Sequence, residues 1–465
     1  MSKKLIALVL VFAFLFSFSA CVSGGDTSTG TGDSSSSAPH TDSTGGGDTS
    51  EEVNFLRGIS EPYATSTVQG FNYEIASDLI SALGVESFRM WMSLGTLYDG
   101  YSNGVVLSDE KLAEVSASGK ARYGSYIESL KNTDVREIIG SACFLPKVPS
   151  TAKYNSEKPY VPDRSSDENS DYAMFLNKVY LIFRAVAKAF PEITVWEMGN
   201  EYNANTFMTS PTRELSQQEL ADIYVDYMYY ATKGVKEGNP DAITIPAGFA
   251  PVGGIQSVQS FYELIYDAID SGNYPVLGQK STNYRDYFAG LCWHPYDGDN
   301  AVVLTGDGSN LNLDLWKKRN DDVYNVAVSH GDTGLKVWFT EFGYTLGGDS
   351  LIQTTAEDKS ITRYNITGDY YDLNTTAEEW VCNYSNLYFE KMKEMPYLHT
   401  LSYFRLFCSV KGAEWNGFGE VYFGLFLEPD QTVNRGFYPR KNAYTIQKLF
   451  GGTGDLMKYS AFESL

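Results

Sequence analysis

Eight short apolar runs separated by longer amphipathic stretches predict an α/β chain. The expected architecture is a single (β/α)8 TIM barrel with long βα loops, preceded by a signal peptide and a disordered tether. Three observations carry that expectation. The runs number eight, the strand count of such a barrel. About 410 residues follow the N-terminal region, the size of one barrel with elaborated loops. No G-x-G-x-x-G or G-x-x-x-x-G-K-[ST] phosphate loop follows the first run, as a nucleotide-binding doubly wound fold would require.

The strands are expected at 54–59, 86–91, 136–142, 193–198, 242–247, 288–293, 336–340 and 401–406. Between them, Ser216-Gln-Gln-Glu219 has the capping-box pattern, in which serine and glutamate each satisfy a free N–H at a helix start. That helix should run to about 237, where Gly238-Asn-Pro240 stops it. Residues 172–190 and 377–394 have the periodicity of further outer helices. The long connections, 146–171, 297–317, 345–375 and 409–440, all leave strand C-termini. In a barrel that end carries the functional site, so these loops should wall a cleft.

The first residues read as an address. Lys3 and Lys4 precede an apolar run from Leu5 to Phe18, too short to span a membrane comfortably and suited to a signal-peptide core. Phe18-Ser-Ala-Cys21 then has the form of a bacterial lipobox, with Cys21 as the lipidated residue; plain secretion with cleavage after Ala20 is the alternative. Residues 22–51 are dominated by Gly, Ser, Thr and Asp, which bury no core, and read as a tether with a reach of roughly 30 Å. The expected organisation is therefore signal peptide and lipobox 1–21, linker 22–51 and barrel 52–465. A bacterial cell-surface or periplasm-facing location follows, with the membrane met only through the lipid.

Composition excludes some functions. The net charge is -22, from 36 Lys and Arg against 58 Asp and Glu, the wrong sign for a phosphate-binding surface, so no nucleic-acid partner is expected. The remaining cysteines, Cys143, Cys292, Cys382 and Cys408, form no C-x-x-C pair and no zinc spacing with histidine. The four histidines, one of them in the tether, make a Ser-His-Asp apparatus an unfavoured reading.

Two carboxylates stand out. Glu201 closes the run 195–201 (VWEMGNE), and Glu341 sits in 336–343 (KVWFTEFG). Each follows an apolar, aromatic segment of the kind that forms a buried parallel strand, where a barrel keeps its reactive groups. One glutamate after a strand is most often a solvated loop residue. Two in such company are not.

The 198–201 (MGNE) and 340–343 (TEFG) runs resemble the acid/base and nucleophile signatures of retaining glycoside hydrolases of clan A. That resemblance implies that Glu201 and Glu341 end barrel strands four and seven as the catalytic pair. It also implies that Arg89, in Phe88-Arg-Met-Trp91, bonds the nucleophile, and that Asn200 contacts the sugar 2-hydroxyl. In Trp293-His-Pro-Tyr296, His294 would line the sugar site and Tyr296 would contact the nucleophile. Glu197 shares strand parity with Glu201 and is expected as a deeper structural charge paired with Arg57 or Arg89. Two departures stand out. Strand three ends Ser141-Ala-Cys-Phe144 without the histidine of several clan families, and strand eight, Tyr403-Phe-Arg405, lacks the usual tryptophan, for which Phe404 or Tyr403 would substitute. Tyr154, Tyr160, Tyr364, Tyr370, Tyr371 and Trp415 are candidate sugar-contacting aromatics in the loops.

The implied chemistry is hydrolysis of an O-glycosidic bond in a poly- or oligosaccharide by double displacement. Glu341 would attack the anomeric carbon as a carboxylate, held ionised by Arg89 and Tyr296. Glu201, kept protonated by a neighbouring charged carboxylate, would protonate the leaving oxygen and then act as base on water. No cofactor and no metal are required. Arg89→Met would be expected to reduce activity far more than stability. A non-catalytic glycan-binding surface lipoprotein, and a transglycosylase on the same site, are the competing readings.

Overall fold

The computed structural model of the chain describes residues 53–61, 73–272, 281–296, 312–343, 376–408, 423–427 and 436–460. Cys21, the signal peptide, the linker to Glu52, Tyr364, Tyr370, Tyr371 and Trp415 lie outside the described residues. So do the greater parts of the loops after strands six, seven and eight.

Eight parallel strands form one sheet in the order β5-β4-β3-β2-β1-β8-β7-β6. They are β1 (Leu56–Glu61), β2 (Ser87–Met92), β3 (Glu137–Ala142), β4 (Val195–Asn200), β5 (Ile243–Gly248), β6 (Leu291–Cys292), β7 (Val337–Phe342) and β8 (Leu398–Phe404). The remaining seam is bridged between Phe249 and Trp293, with Ala289 N–H donating to Thr244 O and His294 N–H to Phe249 O. Helices cover the outside: α1 (Tyr73–Leu83), α2 (Leu94–Leu97), α3 (Asp109–Leu112), α4 (Ala117–Leu130), α5 (Pro149–Ala152), α6 (Asp171–Ala189), α7 (Gln217–Gly238), α8 (Ile255–Ser271), α9 (Leu313–Ser329), α10 (Thr376–Met392) and α11 (Lys441–Phe450). This is the expected (β/α)8 barrel. A small second sheet, β9 (Phe407–Cys408), β10 (Phe426–Leu427) and β11 (Tyr438–Pro439), follows strand eight. No helix among the described residues is long and apolar enough to cross a membrane.

The Ser216 capping box forms as expected: Ser216 Oγ accepts from Glu219 N–H, and Glu219 Oε2 accepts from Ser216 N–H at 2.9 Å. Alternation along the strands sends every second side chain to the helices. Phe88 packs edge-on against Tyr126 of α4, and Phe342 meets Tyr388 of α10 and Trp316 of α9. Each such ring, fully buried, contributes roughly 1.5–3 kcal/mol.

The opposite alternation fills the lumen in storeys. At its N-terminal end the buried Glu137 carboxylate accepts from Ser87, Thr400, Trp338 and His399 at 2.9, 2.7, 3.3 and 2.9 Å. Above it Ile139, Val195, Ile245, Cys292 and Trp338 pack as a separate apolar cluster. Above that layer the lumen turns polar.

Several strands run further than their apolar content suggests. β4 continues through Gly199 and Asn200, and β7 through Glu341 and Phe342. Polar residues there look like loop in sequence, but the backbone stays paired while their side chains turn into the lumen.

Candidate active site

Arg89 is the hub of the polar storey. It projects inward from β2, is 1% exposed, and spends its donors on five residues. Its Nε and Nη2 reach Glu197 at 2.6 and 3.1 Å, Nη1 reaches Glu341 at 2.6 Å and Ser60 at 3.1 Å, and Nη2 also reaches Ser141 at 3.1 Å and Asn200 at 2.8 Å. Strand register explains the set, since Ser60 pairs with Arg89 across β1/β2 and Ser141 with Glu197 across β3/β4. Glu197 thus pairs with Arg89. Arg57 is not its partner, because it sits at the start of β1 and bonds Glu86 instead.

Glu201 owes its position to unusual backbone. Gly199 has φ +115°, a conformation open to glycine and strained for other residues, and a Cβ there would meet the Tyr202 ring at 2.3 Å. This turn points Asn200 at Arg89 in the lumen. Glu201 itself has φ +52°, the left-handed region a glutamate rarely occupies, with its N–H bonded to Gly248 O at 3.1 Å.

Glu341 is placed by a bulge. In the β7/β8 register, Phe339 pairs with Leu401 and Phe342 with Tyr403, so two β7 residues face Ser402 alone. The extra residue lets Thr340 and Glu341 both turn inward, Thr340 donating to Glu197 at 2.8 Å and Glu341 accepting from Arg89.

His294 stands between the two glutamates. Its Nδ1 lies 2.8 Å from Glu201 Oε1 and 3.7 Å from Glu341 Oε2, so it couples the pair as well as lining the site. Its ring lies over Gly248, where a Cβ would fall 2.1 Å from Nε2. Tyr296 reaches Glu341 Oε2 at 3.5 Å, the long limit of a hydrogen bond. Asn200 was expected to face a sugar hydroxyl. Its Oδ1 is taken by Arg89, and among the described residues its Nδ2 has no hydrogen-bond partner, which leaves the NH2 group for a ligand.

On strand eight, Phe404 lies on the lumen face with Thr400 and Ser402, edge-on to Phe423, which in turn meets Tyr296. Tyr403 cannot substitute for a site aromatic, because it points outward and its hydroxyl accepts from Asn442 of α11 at 2.6 Å.

Burial and charge divide the carboxylates. Burial pushes Glu201 up to about 8, only partly opposed by the Arg89 charge and reinforced by that of Glu197. Desolvation is therefore the main cause, and the charged neighbour is Glu197, whereas the sequence pointed to the neighbouring charge alone. Burial also raises Glu341, but there His294 and the Arg89 ion pair oppose it. Glu197 goes the other way: burial would raise it, but Arg89, His294 and Thr340 outweigh this and hold it below the usual carboxylate range. Burial lowers His294, which favours the neutral ring. Glu201 is thus the group that keeps its proton, and Glu341 the one placed on a cation.

One ligand atom each from Glu201, His294 and Glu341 lies within 4.8 Å of the others, a donor set that could also meet a cation. Arg89 is already ion-paired with Glu341, and the imidazole already bonds Glu201, so these contacts are accounted for by proton handling. The sequence missed Ser60, Ser141 and Thr340 as partners of the charged hub. Their signal was lumen parity with Arg89 and Glu197, readable only once the register was known.

No protein-family model and no curated protein matches the sequence. Solved structures do. The chain is similar to a hyperthermophilic β-glucosidase from Pyrococcus furiosus at 14% identity and TM-score 0.50, over 86% of this chain and 96% of that one. It is similar to a β-glucosidase from Thermotoga maritima solved with glucoimidazole, at 13% identity and TM-score 0.50, over 86% and 98%. A β-glycosidase from Thermosphaera aggregans gives 12%, 0.50, 86% and 96%. At such identities the likeness establishes the shared barrel fold.

Proposed function

We propose that this chain is a retaining glycosidase that cleaves O-glycosidic bonds of a carbohydrate by double displacement. The observation that carries the proposal is the spacing of the glutamates: an oxygen of Glu201 and one of Glu341 lie within 4.8 Å. Carboxyl groups about 5–5.5 Å apart suit attack by one and protonation by the other, whereas inversion needs about 6.5–9.5 Å to admit a water. Glu341, on Arg89, attacks the anomeric carbon; Glu201 protonates the departing oxygen and then draws a proton from the incoming water. His294 passes between them and holds the Glu201 carboxyl in place. That the similar structures are β-glucosidases and a β-glycosidase agrees with this reading.

The division of protonation states favours an enzyme over a non-catalytic glycan receptor, which has no use for an acid and an ion-paired carboxylate face to face. Transglycosylation differs only in the acceptor. A screen of aryl glycosides and polysaccharides identifies the sugar, and NMR of the early products tests the stereochemistry. The first-formed anomer should keep the substrate's configuration; an inverted first product would overturn the mechanism.

We also propose that Cys21 carries a lipid that anchors the chain at the bacterial surface, supported by the lysine pair, the short apolar run and the tether composition. Labelling with a fatty-acid analogue should mark the wild type and not Cys21→Ala. A Cys21→Ala protein still fractionating with membranes would count against it.

A further inference from the structure

Strand eight offers no tryptophan to the site, and Phe404, its lumen-facing ring, is 6% exposed and packed against Phe423. A different tryptophan stands nearby. Trp91 is two residues beyond Arg89 on β2, on the same lumen-facing parity as Ser87 and Arg89, and one pleat closer to the mouth. Arg89 beneath it is buried, but Trp91 is partly exposed. Its indole N–H is satisfied inside the protein by Cys143 Sγ, just past the end of β3. No aromatic ring among the described residues packs on it. An indole with its polar edge tied down, partly exposed and on the lumen-facing parity one pleat above the polar storey, is built to receive something apolar on one face and hydroxylated at its rim, which describes a sugar ring.

We infer that Trp91 is the stacking platform for the sugar that is transferred to Glu341, and that Cys143 is a positioning residue that fixes the indole's orientation. This rests on the glycosidase reading and deepens it. The side of the bond is set by Arg89: it holds the attacking carboxylate at 2.6 Å and lies one pleat below the indole, so the ring stacked there is the one that stays with the enzyme. Cys143 lies close enough to feel the charges of Arg89, Glu197 and Glu341, and burial pushes its thiol up to about 12, so it serves as a neutral hydrogen-bond acceptor. The position at the end of strand three thereby acquires a role through its neighbour.

The test uses wild type, Trp91→Ala, Trp91→Phe, Cys143→Ala and Cys143→Ser. Substrates are the 2,4-dinitrophenyl glycoside of glucose, galactose, mannose or xylose that the wild type cleaves, and an oligosaccharide of the same sugar. Trp91→Ala should lower kcat/KM about tenfold or more, the scale of one ring contact, and equally on both substrates because the sugar is common to both. Trp91→Phe, which keeps a ring, should lose less. Cys143→Ala should raise KM about threefold, and Cys143→Ser, which restores an acceptor, should return it towards wild type. A loss confined to the oligosaccharide would put Trp91 on the leaving-group side and overturn the assignment, as would unchanged kinetics. If the wild type cleaves no glycoside, the glycosidase reading fails by itself. Fluorescence titration with the four methyl glycosides then decides the platform: quenching present in wild type and lost in Trp91→Phe upholds it, and quenching that is absent or unchanged overturns it.

Discussion

Thr340 and Glu341 are consecutive in the chain, yet both side chains face the barrel lumen: Thr340 donates to Glu197 and Glu341 accepts from Arg89. A regular strand would send one of them to the helices. The β7 bulge opposite Ser402 is what converts a strand residue into a candidate nucleophile while keeping its neighbour on the scaffold charge.

The two glutamates should fail differently. Glu341→Gly should abolish turnover, since no glycosyl-enzyme forms, and added azide should yield a glycosyl azide of inverted configuration. Glu201→Ala should lose natural substrates but keep activity on aryl glycosides with good leaving groups, and azide should then give a product of retained configuration. Normal polysaccharide hydrolysis by both variants would refute the assignment.

The proton on Glu201 should be visible in both activity and stability. Activity needs the acid form, so kcat/KM should fall as pH rises through about 8. The carboxyl titrates higher in the folded protein than in the unfolded chain, so stability should be fully present at pH below the ordinary glutamate value and be lost as pH rises through about 8. Thermal melts from pH 5 to 9 should show Glu201→Gln losing less stability with rising pH than the wild type. Parallel curves would remove Glu201 as the buried acid.

Arg89→Met was expected from sequence to affect activity far more than stability, and the geometry revises this. Removing the guanidinium leaves Glu197, 0% exposed, without its cation, which should cost about 3–5 kcal/mol in denaturant unfolding. Combining it with Glu197→Gln should recover much of that stability and none of the turnover. Equal recovery of both would show that Arg89 serves only the scaffold.

Glu137 tests the other end of the lumen. Burial would raise its carboxyl, but His399, Thr400 and Ser87 outweigh this and lower it, so its contribution is present above the ordinary glutamate range and lost as pH falls through the folded value. Glu137→Ala should cost about 3 kcal/mol at neutral pH by orphaning several donors, with kcat unchanged. A changed kcat would mean that the floor and the site are coupled.

Much of this is legible in the sequence. The eight strands follow from apolar content, because a parallel strand covered on both faces needs it; Glu201 and Glu341 stand out at strand ends, and Arg89 and His294 were implied by the family resemblance of their motifs. Boundaries near the site were drawn too early, at Met198 and Thr340, because Gly-Asn and Glu-Phe read as loop when nothing says that the lumen above the apolar layer is polar. The role of Ser141, the Trp91–Cys143 contact and the bulge were out of reach for a related reason: each depends on which residues closure sets side by side.

The layer of Ile139, Val195, Ile245, Cys292 and Trp338 separates the Glu137 cluster from the Arg89 cluster. It acts as an insulating disc across the lumen: Trp338 gives its N–H to Glu137 on one side, Cys292 turns its thiol to Glu197 and Thr340 on the other, and among the described residues no hydrogen bond links the two clusters through it. Two buried charge networks therefore coexist in one small barrel as independent circuits. Substitutions at opposite ends should add in their effects on stability, and the mouth of the barrel can be rewired for a new sugar while the floor goes on holding the strands together.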